Sequence, residues 1–382
     1  MKVFHSIRFK AALFIVVTSC NPSPAELYPS AGEDLPLSKS ELARIFSELP
    51  LGKEQLNEVY DAVSSSSDNG YDEEYLMADL LTCPGSGVGE EHSGTKASSY
   101  SSPIKDMFSE YLSRKYSTKA GAADVEAYLN ALQKSDLQIY WPYSEDWSGE
   151  EYPVITFDPG YGAESNYGYV VSVDSKGARV VDSLVVTEEV AMSRPVWVIN
   201  SNEDSGFTPF DLYTKAGGSA KPSEPKQKLL MKDFTMLRNY DSWFGGASEF
   251  FVKVGAVDGF RATSDSDFKL YTPSVTDFMI VVKRKYVGKK VPFEVIMLTD
   301  FTSQMEKIAF LVVEDDGGTT TNWKCSATVK YESKSYGFDL DIPYKDKDDI
   351  VWRGQLDASF FQEEGDVEGR FGDVKITFCK EP

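Results

Sequence analysis

Leu137-Gln138-Ile139-Tyr140-Trp141 marks the point at which the hydrophobic period of the chain changes. Upstream, in residues 38–135, apolar side chains recur at the spacing of amphipathic helices after a capping-box pair at Ser38 and Glu41. Downstream, short runs such as Val154-Ile155-Thr156-Phe157 are typical of strands. The change predicts an α+β fold with an N-terminal helical section, a small β-rich region and a C-terminal antiparallel β-sandwich.

The β-sandwich is predicted for residues 229–382, where about eight β-rich runs alternate with turn residues. Before it, residues 136–213 form the β-rich region, and residues 214–228 are rich in Gly, Pro, Ser and Lys with almost no apolar side chains. We therefore place a domain boundary and a linker at 214–228. The runs are Phe250–Val254, Phe278–Val282, Phe293–Leu298, Ile308–Val313, Cys325–Tyr331, Tyr336–Ile342, Ile350–Arg353 and Val374–Phe378.

Residues 1–19 have the pattern of a secretory signal, because three cations precede a short apolar run and then small residues. Val17-Thr18-Ser19-Cys20 resembles the bacterial lipobox, whose cysteine is diacylated and becomes the new N-terminus. The resemblance implies lipidation at Cys20, and the polar residues 20–37 are interpreted as a tether. The apolar run is too short to span a bilayer, so we expect a lipid anchor in the outer membrane. Asn21 is consistent with that sorting, and the periplasmic and cell-surface faces both stay open.

Charge and histidine content exclude several classes of function. The chain has 39 Lys and Arg against 60 Asp and Glu, and its net charge of −21 repels phosphate backbones, so we expect no nucleic-acid partner. The sequence has two histidines, and His5 lies in the signal, which argues against a histidine-based triad or a multi-histidine zinc site. The sequence also lacks the His-Glu-x-x-His and Gly-x-Ser-x-Gly motifs of hydrolases.

Acidic residues near the ends of several predicted strands suggest a Ca²⁺ site, because Ca²⁺ takes carboxylate oxygens as ligands. The candidate ligands are Asp241, Asp300, Glu314, Asp315 and Asp316. The strand rhythm and the segments Ser248–Val254 and Val312–Asp316 are similar in pattern to C2-type sandwiches. That resemblance implies that carboxylates from loops at one end of the two sheets share a cation. The alternative is an Asp-Asp-Gly-Gly hairpin turn that needs no metal.

Tryptophan and cysteine residues supply the remaining candidates. Trp147 and Trp243 lie in predicted turns, where an exposed ring contacts a glycan or a protein partner. Cys325 and Cys379 lie in strand-like runs of the same predicted domain. Two alternatives stay open for this pair, a disulfide in an oxidising compartment or two buried free thiols.

The order of the lipobox, the helical section, the segments Trp141–Tyr143, Pro153–Pro159 and Pro195–Asn200, and the terminal β-domain resembles envelope lipoproteins of Bacteroidota. This resemblance spans most of the mature chain and implies compartment and architecture, but no activity. Our leading hypothesis is a non-catalytic binding protein for an envelope protein or a glycan, anchored to the membrane by its lipid. The alternative is a hydrolase that uses carboxylates or Ca²⁺. A pocket with two carboxylates of raised pKa favours the hydrolase, and a flat face with an exposed tryptophan favours binding.

Overall fold

Helices lie mainly in the N-terminal part of the chain, as the sequence predicts. The computed structural model describes residues 38–82, 100–115, 121–173, 179–202, 226–361 and 365–382. The helices are α1 (Lys39–Glu48), α2 (Lys53–Asp68), α3 (Met77–Leu81), α4 (Ile104–Lys115), α5 (Gly121–Gln133) and α6 (Glu188–Ala191). The Ser38 hydroxyl accepts a hydrogen bond from the N–H of Glu41 (3.3 Å) and so caps α1. In the described ranges, no helix is both long and apolar enough to cross a membrane.

The N-terminal helices pack against a six-stranded sheet. Its strands are β1 (Glu74–Leu76), β2 (Leu137–Tyr140), β3 (Val154–Phe157), β4 (Asn166–Val173), β5 (Arg179–Val186) and β6 (Val196–Ser201). Their order is β1-β2-β6-β3-β4-β5, and all neighbours are antiparallel except β3 and β6, which run parallel. Leu42 and Phe46 of α1 share one buried cluster with Trp197 of β6. The predicted helical section and the predicted β-rich region therefore share a core.

The C-terminal part forms two antiparallel sheets that face each other across one apolar core. Its strands are β7 (Lys228–Met236), β8 (Ser248–Ala256), β9 (Ser274–Val282), β10 (Val291–Leu298), β11 (Met305–Glu314), β12 (Thr320–Tyr331), β13 (Lys334–Lys345), β14 (Asp349–Asp357), β15 (Val367–Phe371) and β16 (Val374–Glu381). One sheet has the order β10-β7-β16-β15, and the other has the order β13-β12-β11-β8-β9, with β14 paired to β11. Each predicted run lies within one of these strands, whereas β7 and β15 are strands that the sequence pattern does not predict. The linker predicted at 214–228 lies mostly outside the described residues.

Strand β11 is buried on both faces, which explains its unbroken apolar sequence. Phe310 and Val312 belong to the core between the two sheets. Leu311 and Val313 belong to a second apolar cluster, which also contains residues of β12 and β13. This division follows from the alternation of side chains along a strand. The strand ends at Glu314, whose side chain is 1% exposed, so its last residue places a carboxylate inside the protein.

The loop between β7 and β8 joins the sandwich to the N-terminal part. Trp243 and Phe244 of this loop are fully buried, and the other buried members of their cluster come from residues 140–198. A sandwich loop thus fills part of the N-terminal core.

Lys283 and Arg284, which follow β9, add electrostatic contacts between the sandwich and the N-terminal part. Lys283 Nζ lies 3.5 Å from a carboxylate oxygen of Glu73, and Arg284 Nε lies 2.7 Å from one of Glu188. Leu37–Pro382 forms one compact unit.

Candidate functional site

A polar cleft opens beside the loop that joins β7 to β8. Its cavity volume is about 60 Å³, which is room for a few water molecules or for the charged end of a larger ligand. Every lining residue is polar except one glycine, and the lining carries five carboxylates and one ammonium group. The charged lining residues are Lys39, Asp72, Glu74, Asp158, Asp241 and Glu249.

The parallel pair β3 and β6 supplies part of one wall. Because the carboxyl ends of parallel strands lie at the same edge of a sheet, Asp158 after β3 meets Asn200 and Ser201 at the end of β6. The other wall comes from the sandwich, through Asp241 in the β7–β8 loop and Glu249 in β8. The cleft therefore lies between the N-terminal sheet and the sandwich.

Part of this lining is already paired. Lys39 Nζ lies 2.8 Å from Asp158 Oδ2, so the ammonium group of the lining is neutralised by one of the five carboxylates. Asn202 Nδ2 donates hydrogen bonds to Glu74 Oε2 (2.9 Å) and Gln138 Oε1 (3.0 Å). These contacts hold the N-terminal wall together but leave the cleft with an excess of negative charge.

Three lining residues, Asp72, Asn200 and Asp241, each keep one side-chain oxygen that no described residue binds. Asp72 Oδ2 accepts a hydrogen bond from the N–H of Ala247 (2.9 Å), but Asp72 Oδ1 has no partner among the described residues. Asn200 Nδ2 donates to the carbonyl groups of Phe244 (3.1 Å) and Gly245 (2.8 Å). Those two acceptors fix the amide orientation, and Asn200 Oδ1 is left without a partner in the described structure. Unpaired buried acceptors are costly, so a donor or cation from outside the chain is stabilising here.

Asp241, Glu249 and Glu314 form a cluster that we call the carboxylate triad. One oxygen from each residue lies within 4.8 Å of the other two. Glu314 is 1% exposed, and neither of its carboxylate oxygens has a hydrogen-bond partner among the described residues. Asp241 Oδ2 likewise has none in the described structure. Oxygen atoms at this spacing suit a hard cation such as Ca²⁺.

Burial governs the protonation of these acids. Desolvation, followed by the neighbouring Asp241 carboxyl, raises the pKa of Glu314 well above its usual range. Burial also raises the pKa of Asp241 and the pKa of Asp72. The Asp241 carboxyl thus opposes the ionisation of Glu314, whereas the Glu314 carboxyl lowers the pKa of Asp241 against the larger effect of burial.

The structure brings together only part of the Ca²⁺ set expected from the sequence. Asp241 and Glu314 both belong to the carboxylate triad. Asp300 is bound instead by the guanidinium group of Arg261, with Nη2 2.8 Å from Oδ1. Arg261 follows the end of β8 whereas Glu249 lies at its beginning, and a strand rises about 3.3 Å per residue. Most of the length of β8 therefore separates Asp300 from the triad.

Asp315 and Asp316 adjoin the triad without belonging to it. Both carboxylate oxygens of Asp315 bind Lys345 Nζ, at 2.8 and 2.7 Å. Asp315 Oδ1 also accepts a hydrogen bond from the N–H of Gly317 (3.0 Å). Asp315 thus stabilises the turn after β11 without a metal, as in the hairpin-turn alternative. After burial and Asp241, the charge of Asp316 also raises the pKa of Glu314.

Trp243 does not offer a stacking surface to a glycan, which corrects the expectation from the sequence. It is fully buried because its loop inserts into the N-terminal core, and its Nε1–H donates to the carbonyl of Glu164 (3.0 Å). Trp147 is partly exposed, and its ring packs 5.2 Å from Tyr60 and 5.2 Å from Trp141 between ring centroids. Of the two tryptophans, Trp147 is the one that keeps an accessible face.

Cys325 and Cys379 are free thiols rather than a disulfide. They lie on β12 and β16, which belong to different sheets. Burial raises the pKa of the Cys325 thiol to about 11, so it is un-ionised at neutral pH. Cys20, the expected lipidation site, lies outside the described residues.

The sequence pattern does not identify Asp72, Asn200 or Glu249 as site residues. Glu249 lies next to Phe250, the residue opposite Glu314 in the antiparallel β8–β11 pair, and the sequence alone does not give this register. The hydrogen bond between Asp72 and Ala247 of the β7–β8 loop joins residues that are 175 positions apart, so no local sequence pattern indicates it.

No protein-family model matches the chain, and searches of the curated proteins and of the solved structures find no match either.

Proposed function

We propose that the protein is a lipid-anchored binding protein of the bacterial outer membrane, and that its acidic cleft takes a ligand with an ammonium or guanidinium group. The anchor on Cys20 and the location rest on the lipobox resemblance. The ligand class rests on one observation, the excess of carboxylates in the lining. Its one ammonium group, on Lys39, is paired with Asp158, so five carboxylates share the lining with a single cation.

Burial strengthens the preference for a cationic ligand. Asp72 is 4% exposed and Asn200 is 1% exposed, so their polar atoms lie where the effective dielectric constant is lower than in water. Both residues also keep an unpaired acceptor oxygen in the described structure, which suits a ligand that donates N–H bonds. A phosphate or carboxylate ligand would meet repulsion from the same wall.

Asp72→Asn tests this function. The asparagine oxygen keeps the hydrogen bond from Ala247, while one negative charge leaves the lining. The probes are spermidine, a lysine- and arginine-rich peptide and glucosamine, titrated calorimetrically. They separate a polyamine, a basic segment of a protein partner and an amino sugar of a glycan. We expect at least one probe to bind, and the variant to bind it about tenfold more weakly or worse, as for loss of one charged contact.

Asp373→Asn is the matched control, because it removes the same charge from an exposed ion pair with Arg238 outside the cleft. This control should bind the probe as the unmodified protein does. The proposal is overturned if none of the three probes binds, or if Asp72→Asn and Asp373→Asn weaken binding equally.

A carboxylate-dependent hydrolase is the second candidate function, and the raised pKa of Asp72 and of Asp241, both due mainly to burial, favours it. A protonated carboxyl beside an ionised one is the arrangement of a general acid and base. The binding function ranks first because it requires only the charge excess of the lining. Turnover of a panel of chromogenic glycosides, lost in Asp241→Asn, would establish the hydrolase instead.

A further inference from the structure

We infer that the carboxylate triad Asp241, Glu249 and Glu314 is a Ca²⁺ site. Glu314 lies outside the lining of the cleft, and its two oxygens are without a partner among the described residues. The inference therefore goes beyond the proposed function, since it concerns a metal held behind the wall of the cleft rather than the ligand that enters it.

The placement of Glu314 is the first step of the argument. Side chains alternate along a strand, so Glu314 continues the same face of β11 as Phe310 and Val312, which lie in the sandwich core. An acid at the end of this face is 1% exposed and cannot reach bulk water. Buried acids in proteins are normally paired, bound to a metal or protonated, so the ionised form of Glu314 requires a positive partner.

Two neighbouring cations, Arg284 and Lys345, do not bind the carboxylate of Glu314. Arg284 binds both carboxylate oxygens of Glu188, at 2.7 and 3.2 Å, and reaches Asp241 only at its backbone carbonyl (2.8 Å). Lys345 is bound by both oxygens of Asp315. Both side chains are therefore bound to other acids, and neither binds the carboxylate of Glu314.

The donor set selects the kind of ion. The triad offers carboxylate oxygens, without histidine or cysteine, which disfavours zinc and copper. Three carboxylates supply up to about six oxygens, and Ca²⁺ takes about six to eight in a flexible geometry. Mg²⁺ requires a regular octahedron and is usually held by one or two carboxylates and several waters. Asp241 and Glu249 also line the cleft, which gives the ion an entry path and a source of water ligands.

Calcium titration of the full chain, purified in detergent and stripped with a chelator, tests the site. We expect a calorimetric Kd of about 10⁻⁴ to 10⁻³ M or tighter, as for extracellular calcium modules, and an increase in Tm of several degrees at about 10 mM CaCl₂. MgCl₂ at the same concentration should give a smaller increase. Glu314→Gln should abolish the calcium-dependent increase and, since the amide has nearly the shape of the carboxyl and carries no charge to desolvate, should not lower the Tm of the calcium-free protein.

Asp300→Asn is the matched control, because Asp300 is also buried and acidic but is bound by Arg261. It should keep the full calcium-dependent increase. No increase in the unmodified protein overturns the inference and leaves a proton shared by Asp241 and Glu314 as the neutralising species. An increase that survives in Glu314→Gln, or a larger one with MgCl₂, overturns it as well. Asp72→Asn should lose the cationic ligand but keep the calcium response, so the two proposals fail separately.

Discussion

Several acidic side chains are buried in the interior of this protein, where apolar side chains are the rule. Glu314, Asp315, Asp300 and Asp72 are each 5% exposed or less. Asp315 and Asp300 have a lysine or arginine partner, and these two pairs are structural. Of the other two, Asp72 lines the cleft and Glu314 belongs to the triad, and removing an ion from water costs several kcal/mol or more. The unpaired acids therefore point to function.

Glu58 provides a test of burial that is independent of the site. Its Oε2 accepts a hydrogen bond from the N–H of Ile104 (2.9 Å), and burial raises its pKa to about 7. The folded state thus holds a proton that the unfolded state releases near its ordinary value, and stability falls as the pH rises through that window. Glu58→Gln removes this penalty, so we expect its Tm to exceed that of the unmodified protein at about pH 8, and the difference to shrink below about pH 5.

Glu54, one turn earlier on the same helix, is the control, because its pKa shifts in the opposite direction. The Ser101 hydroxyl and backbone N–H bind its carboxylate and lower its pKa, so its contribution is present above the ordinary value and lost as the pH falls. Glu54→Gln should therefore lower the Tm at about pH 8. Thermal melts across this pH range measure both variants. Equal pH profiles for the two would show that burial does not set the protonation of Glu58.

The sequence indicates only some of the residues of the site. Asp241 and Glu314 are recognisable because each follows an apolar or aromatic run and is itself acidic. Asp300 and Asp315 carry the same local pattern, yet lysine or arginine partners distant in sequence neutralise them. Local pattern cannot separate an acid with a cation beside it from one without, since that depends on tertiary packing.

Among the elements, the strands with regular alternation or long apolar runs are predictable, and the others are not. β11 is recognisable because both of its faces are buried. β7 begins Lys228-Leu229-Leu230-Met231, and Leu and Met favour helices, so its sequence does not indicate a strand. β15 has five residues and contains Gly369, which also weakens the strand pattern. β15 pairs with β16, and β7 pairs with both β16 and β10.

The β15–β16 hairpin depends on Gly372. This residue has φ +60°, and a Cβ there would lie 2.4 Å from the carbonyl oxygen of Val351. Gly372→Ala should therefore combine backbone strain of about 1–2 kcal/mol with overpacking of about 1–3 kcal/mol. Gly288→Ala isolates the strain, because Gly288 has φ +74° but open space around its Cβ position. Urea unfolding measures both free energies, and equal losses would contradict the predicted clash with Val351.

The β7–β8 loop couples the sandwich to the N-terminal part of the molecule. Its Trp243 completes a core made otherwise by N-terminal residues and Phe244, while its Asp241 belongs to the triad. The predicted boundary at 214–228 would divide the chain in sequence, but this loop and the Arg284–Glu188 pair connect the two parts in space. We therefore expect them to unfold together.

Trp243→Ala should separate the two parts thermodynamically. Loss of a buried tryptophan costs about 3–5 kcal/mol, and here the cavity forms in the N-terminal core. Calorimetry should give one transition for the unmodified protein and two for the variant, with the N-terminal part melting first. Trp352→Ala, which removes a ring packed on the sandwich core, should lower the Tm and keep one transition. Two resolved transitions in the unmodified protein would contradict this coupling.

The position of β16 between β7 and β15 has a consequence for the time course of folding. Met236 of β7 pairs with Val374, and Lys228 pairs with Glu381, so strands from the two ends of the sandwich sequence are neighbours. Contacts between such distant residues make folding slow, because a long loop must close before they form. In a chain that emerges with its N-terminus first, β7 waits for β16, and its apolar residues stay exposed to other chains throughout that delay. The rate at which the C-terminal segment is delivered thus sets how long each newly made molecule is prone to aggregate.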